Sequence, residues 1–149
     1  MMNGSTTKIL MVEDNDLDVE NVTRCFKRMG VTNPVIRAKD GLEGLDVLRS
    51  SDPQTGLKRP YIVLLDLNMP RMNGIEFLEE VRQDVTLADT PVFVLTTSDH
   101  RQDVQAAHRR NVCGYIVKPL ERREMMEALG MVNAYCQVCK LPLENRPVC

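Results

Sequence analysis

Five short apolar runs alternate along this chain with segments of helical periodicity, and each run is cut off by a polar residue. Lys8 to Val12 ends at Glu13-Asp14-Asn15, and from Asp16 onward Val22, Cys25, Phe26 and Met29 fall at i, i+3, i+4 and i+7. That pattern predicts a strand, an acidic turn and an amphipathic helix stopped by Gly30. Pro34 to Ala38 supplies a second strand, and Leu42, Leu45 and Leu48 mark a second helix over Gly41 to Leu48. After a polar loop from Ser51 to Pro60 comes Tyr61-Ile62-Val63-Leu64-Leu65, the most hydrophobic stretch of the chain. A continuous apolar run suits a central parallel strand covered on both faces.

Asp66 closes that strand, Met69 to Gly74 makes a turn, and Ile75 to Arg82 reads as a helix with Asn73 placed to cap it. Pro91 to Leu95 is a fourth strand. Asp99 to Arg110 is a weak helix with Val104 as its only large apolar residue, and Gly114 to Val117 is a fifth strand ending at Lys118-Pro119. From Leu120 a last helix carries Met125, Leu129, Val132, Cys136 and Cys139 on roughly one face. Five strands alternating with five helices predict an α/β fold, a doubly wound parallel sheet whose right-handed crossovers put helices on both faces.

The composition narrows the function. A chain of 149 residues fits one domain that buries about 70% of its unfolded surface. Lys plus Arg number 19 against 21 Asp plus Glu, a net charge of -2 that gathers neither nucleic acid nor anionic lipid. The apolar runs stop at about five residues, far short of the ~18 needed to span a bilayer. The start of the chain lacks the basic segment and long apolar core of a signal peptide, so a cytoplasmic location is expected. The five cysteines are an odd number without framework spacing, and disulfides are not expected. Cys136-Gln-Val-Cys139 has no second pair or histidine to complete a zinc site, so a packing or dimer role outranks metal or redox chemistry.

In an open α/β sheet, ligands bind beyond the carboxyl ends of the strands. Here those ends are polar: Glu13-Asp14 after the first, Asp66 after the third, Thr96-Thr97-Ser98 after the fourth and Lys118 after the fifth. In the flavodoxin-like order 2-1-3-4-5, strands one and three are neighbours at about 4.8 Å, which brings three carboxylates into one pocket. Like charges that close call for a hard divalent cation, and Mg²⁺ suits carboxylates completed by water and phosphate. One carboxylate can then act as a nucleophile toward phosphorus and become an aspartyl phosphate. Asp66, Mg²⁺, Thr96 and Lys118 would surround the phosphoryl group.

The sequence resembles the receiver domains of two-component response regulators over residues 8 to about 130. The resemblance rests on Val12-Glu13-Asp14-Asn15, Leu64-Leu65-Asp66-Leu67-Asn68-Met69-Pro70 followed by Met72-Asn73-Gly74, Leu95-Thr96-Thr97, and Gly114-Tyr115-Ile116-Val117-Lys118-Pro119. It implies that Asp66 accepts a phosphoryl group from a phosphohistidine on a partner kinase. It further implies that Asp14, Asp66 and the main-chain carbonyl of Asn68 ligate Mg²⁺ while Glu13 holds a metal-bound water. Lys118 would pair with the phosphate, Thr96 would move its hydroxyl onto a phosphoryl oxygen, Tyr115 would change rotamer, and the Lys118-Pro119 peptide would be cis. On this basis the domain is expected over residues 8–140, between a disordered start at 1–7 and an extended tail at 141–149.

Within that family, the Ser51 to Pro60 loop, the Thr96-Thr97-Ser98-Asp99 run and the long last helix with Lys140-Leu141-Pro142 resemble stand-alone regulators that serve bacterial phytochromes. This implies a red-light-sensing histidine kinase as partner and a homodimer formed through the fourth helix, fifth strand and fifth helix. Glu13 stands where many relatives carry Asp, a change expected to tune rates. Two competing functions fit less well. A phosphatase of the haloacid dehalogenase type needs a second Asp two positions beyond its nucleophile, where this chain has Asn68, and an FMN carrier would find its phosphate repelled by Glu13-Asp14. A docking module that works without phosphorylation is the third alternative. His100 and His108 are read as solvated surface residues.

Overall fold

In the computed structural model, described for residues 6–52, 54 and 56–143, five parallel strands form one sheet in the order β2-β1-β3-β4-β5. They are β1 (Lys8–Val12), β2 (Val35–Ala38), β3 (Tyr61–Leu65), β4 (Val92–Thr96) and β5 (Gly114–Val117), alternating with α1 (Asp16–Arg28), α2 (Gly41–Arg49), α3 (Gly74–Gln83), α4 (Arg101–Arg109) and α5 (Arg122–Val138). The doubly wound α/β sheet in flavodoxin-like order is therefore the fold of the chain.

The two-residue period of the strands sorts their side chains onto two cores. Leu10, Val12, Val63, Leu65, Val92 and Val94 face one layer, where Leu45 and Leu48 of α2, Phe77, Leu78 and Val81 of α3 and Ala107 of α4 pack. Ile9, Met11, Ile62, Leu64, Phe93 and Leu95 face the other, filled by Val22, Cys25 and Phe26 of α1 and Leu129, Val132 and Cys136 of α5. All five residues of β3 are buried, as a central strand requires.

Several boundaries differ from the sequence reading. Pro91 lies before β4, since it has no N–H for the ladder, yet its carbonyl accepts from Val63 N–H at 2.9 Å. α4 begins at Arg101, because Ser98 Oγ accepts from His100 N–H at 3.4 Å and donates to Asp103, holding residues 98–100 outside the helix. α4 buries only Ala107 and has no side-chain cap. Cys136 packs in the second core, whereas Cys139, expected on the same face, is the exposed residue closing α5. The expected disordered start and extended tail lie mostly outside the described residues. Of those described, Thr7 is buried, with its carbonyl accepting from Asn33 at 2.7 Å, and Leu141 packs against the second core.

Candidate functional site

Strand register places the acidic residues together. Val12 pairs with Leu65 across β1 and β3, so Glu13 and Asp66 leave the sheet side by side, tied by Asp66 N–H donating to the Val12 carbonyl at 3.0 Å. Thr96 pairs with Val117 across β4 and β5, and Lys118 N–H donates to the Thr96 carbonyl at 2.7 Å. One end of the sheet thus presents Glu13, Asp14, Asp66, Thr96 and Lys118. The next turns are fixed by caps. Asn15 Oδ1 accepts from Asp18 N–H at the start of α1, and Asn73 and Glu76 form a reciprocal capping box at the start of α3.

Carboxylate oxygens of Glu13, Asp14 and Asp66 all lie within 4.8 Å of one another. Asp66 is 6% exposed, and its Oδ1 is buried with no hydrogen-bond partner. A buried carboxylate oxygen without a donor is costly, and three clustered carboxylates offer the all-oxygen donor set of a hard divalent cation. The acidic cluster can therefore hold such an ion, with Asp14 exposed at its outer side.

Lys118 is buried, yet it does not sit on Asp66. Its Nζ donates to Glu13 Oε1 at 2.8 Å and to Asp18 Oδ2 at 2.7 Å. Burial pulls its pKa down, but the hydrogen bonds to Asp18 and Glu13 more than offset this and leave it raised. Glu13 is pushed from 4.5 up to about 7, burial outweighing the Lys118 bond. Its other oxygen accepts from Asn15 N–H at 3.2 Å. Both Glu13 oxygens are thus engaged by protein donors.

Thr96 is fully buried, and its hydroxyl accepts from Ser98 N–H at 3.4 Å. Tyr115 on β5 donates its hydroxyl to the Ser98 carbonyl at 2.8 Å. The two expected switch residues therefore meet on the two sides of one residue, Ser98. Asn68 is exposed beyond β3, with its side-chain amide donating to Thr97 Oγ1 at 3.4 Å. The Lys118-Pro119 peptide is cis.

Sequence reasoning missed Asp18, Ser98 and His108 as neighbours of these residues. Asp18 carried a signal, since it is an acid in the first turn of the helix that opens just after Glu13-Asp14. His108 is exposed, as read from the sequence, and its ring lies 6.4 Å from that of Tyr115.

The chain is similar in sequence and fold to proteins of one family. The sequence pattern described as the response regulator receiver domain matches residues 9–130. The probable methanogenesis regulatory protein FilR2 of Methanothrix harundinacea is 35% identical over 127 residues, 85% of this chain and 81% of that protein. Response regulator Rcp1 of Synechocystis is 32% identical over 135 residues, 90% of this chain and 92% of that protein. The crystal structure of its Mn²⁺-bound form superposes with a TM-score of 0.79 at 30% identity, covering 91% of this chain and 99% of that one. The phosphorylated cyanobacterial phytochrome response regulator RcpA superposes with a TM-score of 0.81 at 30% identity, covering 93% and 99%.

Proposed function

The chain belongs to the response regulator receiver domain family of two-component signalling, and on that premise we propose that Asp66 takes a phosphoryl group from a partner histidine kinase and switches the molecule. The observation that carries the reading is the buried Asp66 Oδ1, without a partner, among three carboxylate groups beside a buried lysine. Asp14, Asp66 and the Asn68 carbonyl would hold Mg²⁺, and Glu13 would hold one of its waters. When bound, the ion neutralises the charge that the carboxylates and the incoming phosphoryl oxygens bring together.

In the transfer, an Asp66 oxygen forms a bond to phosphorus as the bond to the donor breaks in line, and the donor leaves with its electron pair. Lys118 moves onto a phosphoryl oxygen and Thr96 offers its hydroxyl to another, so that donors surround the charge where it develops. The same groups serve a slow hydrolysis by water, which makes the protein a self-catalysing phosphoacceptor with no outside substrate to turn over. Thr96 and Tyr115 relay the change, because a Thr96 hydroxyl drawn to phosphate releases Ser98 N–H while Ser98 carries the Tyr115 hydroxyl.

The output belongs to the face of α4, β5 and α5, as a homodimer contact. In support, β5 is an edge strand whose four residues are all half-buried, and Met131 of α5, beside Gly114 of β5, is exposed. The likeness to phytochrome regulators supports a red-light-sensing kinase as partner, and a stand-alone regulator in the cytoplasm is part of the same proposal. Intact mass after incubation with acetyl phosphate tests it: one phosphoryl adduct, dependent on Mg²⁺ and abolished by Asp66→Asn, is the expected result. No adduct under conditions that label another receiver would remove it. Light scattering on the same samples reads the dimer.

A further inference from the structure

We propose that Asp18 is a positioning residue that draws Lys118 away from Asp66 in the unphosphorylated protein and so sets how readily the aspartate takes a phosphoryl group. The inference rests on the reading of Asp66 as phosphoacceptor and concerns a residue in neither the metal set nor the phosphoryl set.

The geometry is specific. Lys118 Nζ is 2.7 Å from Asp18 Oδ2 and 2.8 Å from Glu13 Oε1, while Asp66 Oδ1 has no partner. The ammonium is therefore held by Glu13 and by Asp18 of α1, and the buried Asp66 Oδ1 is left bare. Asp18 is well fixed for this task, because its own backbone N–H is held by the Asn15 side chain at 3.0 Å in the first turn of α1. Its side chain is 31% exposed against 3% for Glu13. It stands at the rim of a cavity of about 170 Å³ also lined by Asn21, Thr97, Lys118 and Pro119. Lys118 thus bridges one buried and one rim carboxylate.

A lysine stem is flexible and its ammonium acts as a mobile point charge. When phosphorus bonds to Asp66 and the donor departs, the phosphoryl oxygens add negative charge on the Asp66 side, and Lys118 must leave Asp18 to meet them. The Asp18 contact then stabilises the resting state but not the transition state of transfer, and an interaction of that kind raises the barrier. In hydrolysis, Lys118 is on the phosphoryl group both before and during the reaction, so Asp18 has no differential effect. Asp18 therefore acts on one direction of the switch alone.

The test is the rate of labelling by acetyl phosphate with Mg²⁺, followed by intact mass, for the wild type, Asp18→Asn and Asp18→Ala. The rate at which the adduct is lost after desalting is followed for each. Both variants are expected to label about threefold faster or more, the scale of one partly exposed ion pair, with adduct loss within about twofold of wild type. Glu20→Gln removes one charge nearby, from the Glu20–Arg24 pair on α1, and is expected to label at the wild-type rate. Two carboxylate-free variants guard against an asparagine oxygen still holding the ammonium. Unchanged or slower labelling of both variants would overturn the inference, as would an equal acceleration by Glu20→Gln. A wild type that is never labelled would instead remove the Asp66 reading, and this inference with it.

Discussion

Lys118 and Glu13, 105 residues apart in sequence, form a buried ion pair of 2.8 Å at the end of the sheet, and this pair joins β5 to β1 across β3 and β4. Removing one member leaves a buried charge uncompensated, which costs about 3–5 kcal/mol. Lys118→Met should fall near the lower figure, because Asp18 retains some solvent and Glu13 can take a proton. Urea unfolding in the presence of a chelator measures this. A midpoint equal to wild type would mean that the pair contributes nothing to stability.

Gly74 is the second point of close approach. A Cβ there would collide with the Asp66 carbonyl oxygen and meet Leu67 Cα at 2.7 Å, both backbone atoms. Gly74→Ala should cost about 1–3 kcal/mol and slow phosphorylation by shifting the Asp66 backbone. Gly30 makes the contrast: its φ is +75°, but nothing lies within 4 Å of a Cβ. Gly30→Ala should lower stability while leaving the labelling rate as it was. If the two variants label alike, the Gly74 contact does not govern the site.

α4 should be among the first elements to exchange its amide hydrogens. It is nine residues long, buries only Ala107 and lacks a side-chain cap, so its opening exposes little apolar surface. Hydrogen exchange with peptide mass readout should show α4 exchanging well before β3. Tyr115→Phe, which deletes the bond to the Ser98 carbonyl, should speed α4 further by an amount equivalent to about 0.5–1.5 kcal/mol. Equal protection of α4 and β3 would contradict this account of the switch face.

The cysteines give a pH dependence. Burial, with a smaller push from Cys139, raises the Cys136 thiol from 9.0 to about 11. The folded state then holds its proton while the unfolded chain releases it, so the unfolded state binds fewer protons between those values. This contribution is complete below pH 9 and is lost as pH rises toward 11. Stability of the wild type should fall more steeply over that range than that of Cys136→Ala. Equal slopes would show that the thiol is not held protonated by its burial.

Much of this was readable from sequence because a βα repeat fixes which end of each strand faces the ligand. Val12-Glu13-Asp14, Leu65-Asp66, Leu95-Thr96 and Val117-Lys118 each put a polar residue just past or at the end of an apolar strand, and parallel register then gathers them. The direction of Lys118 was not readable. It depends on which carboxylate its flexible stem reaches, and Asp18 comes into reach only once the fold brings the first turn of α1 to the sheet end that carries Lys118. Ser98 was hidden for a related reason. Its two backbone bonds, to Thr96 and Tyr115, come from β4 and β5, and no local pattern announces them. Cys139 misled because helical spacing continues past the point where α5 ends.

The most direct test of the central claim is to label the protein with acetyl phosphate, reduce the acyl phosphate with borohydride and map the product by peptide mass spectrometry. Reduction converts the modified aspartate to homoserine and so records the bond that was formed. The account predicts homoserine at position 66 alone, present with Mg²⁺ and missing with a chelator. Conversion at position 14, or none while a control receiver is converted in parallel, would contradict it.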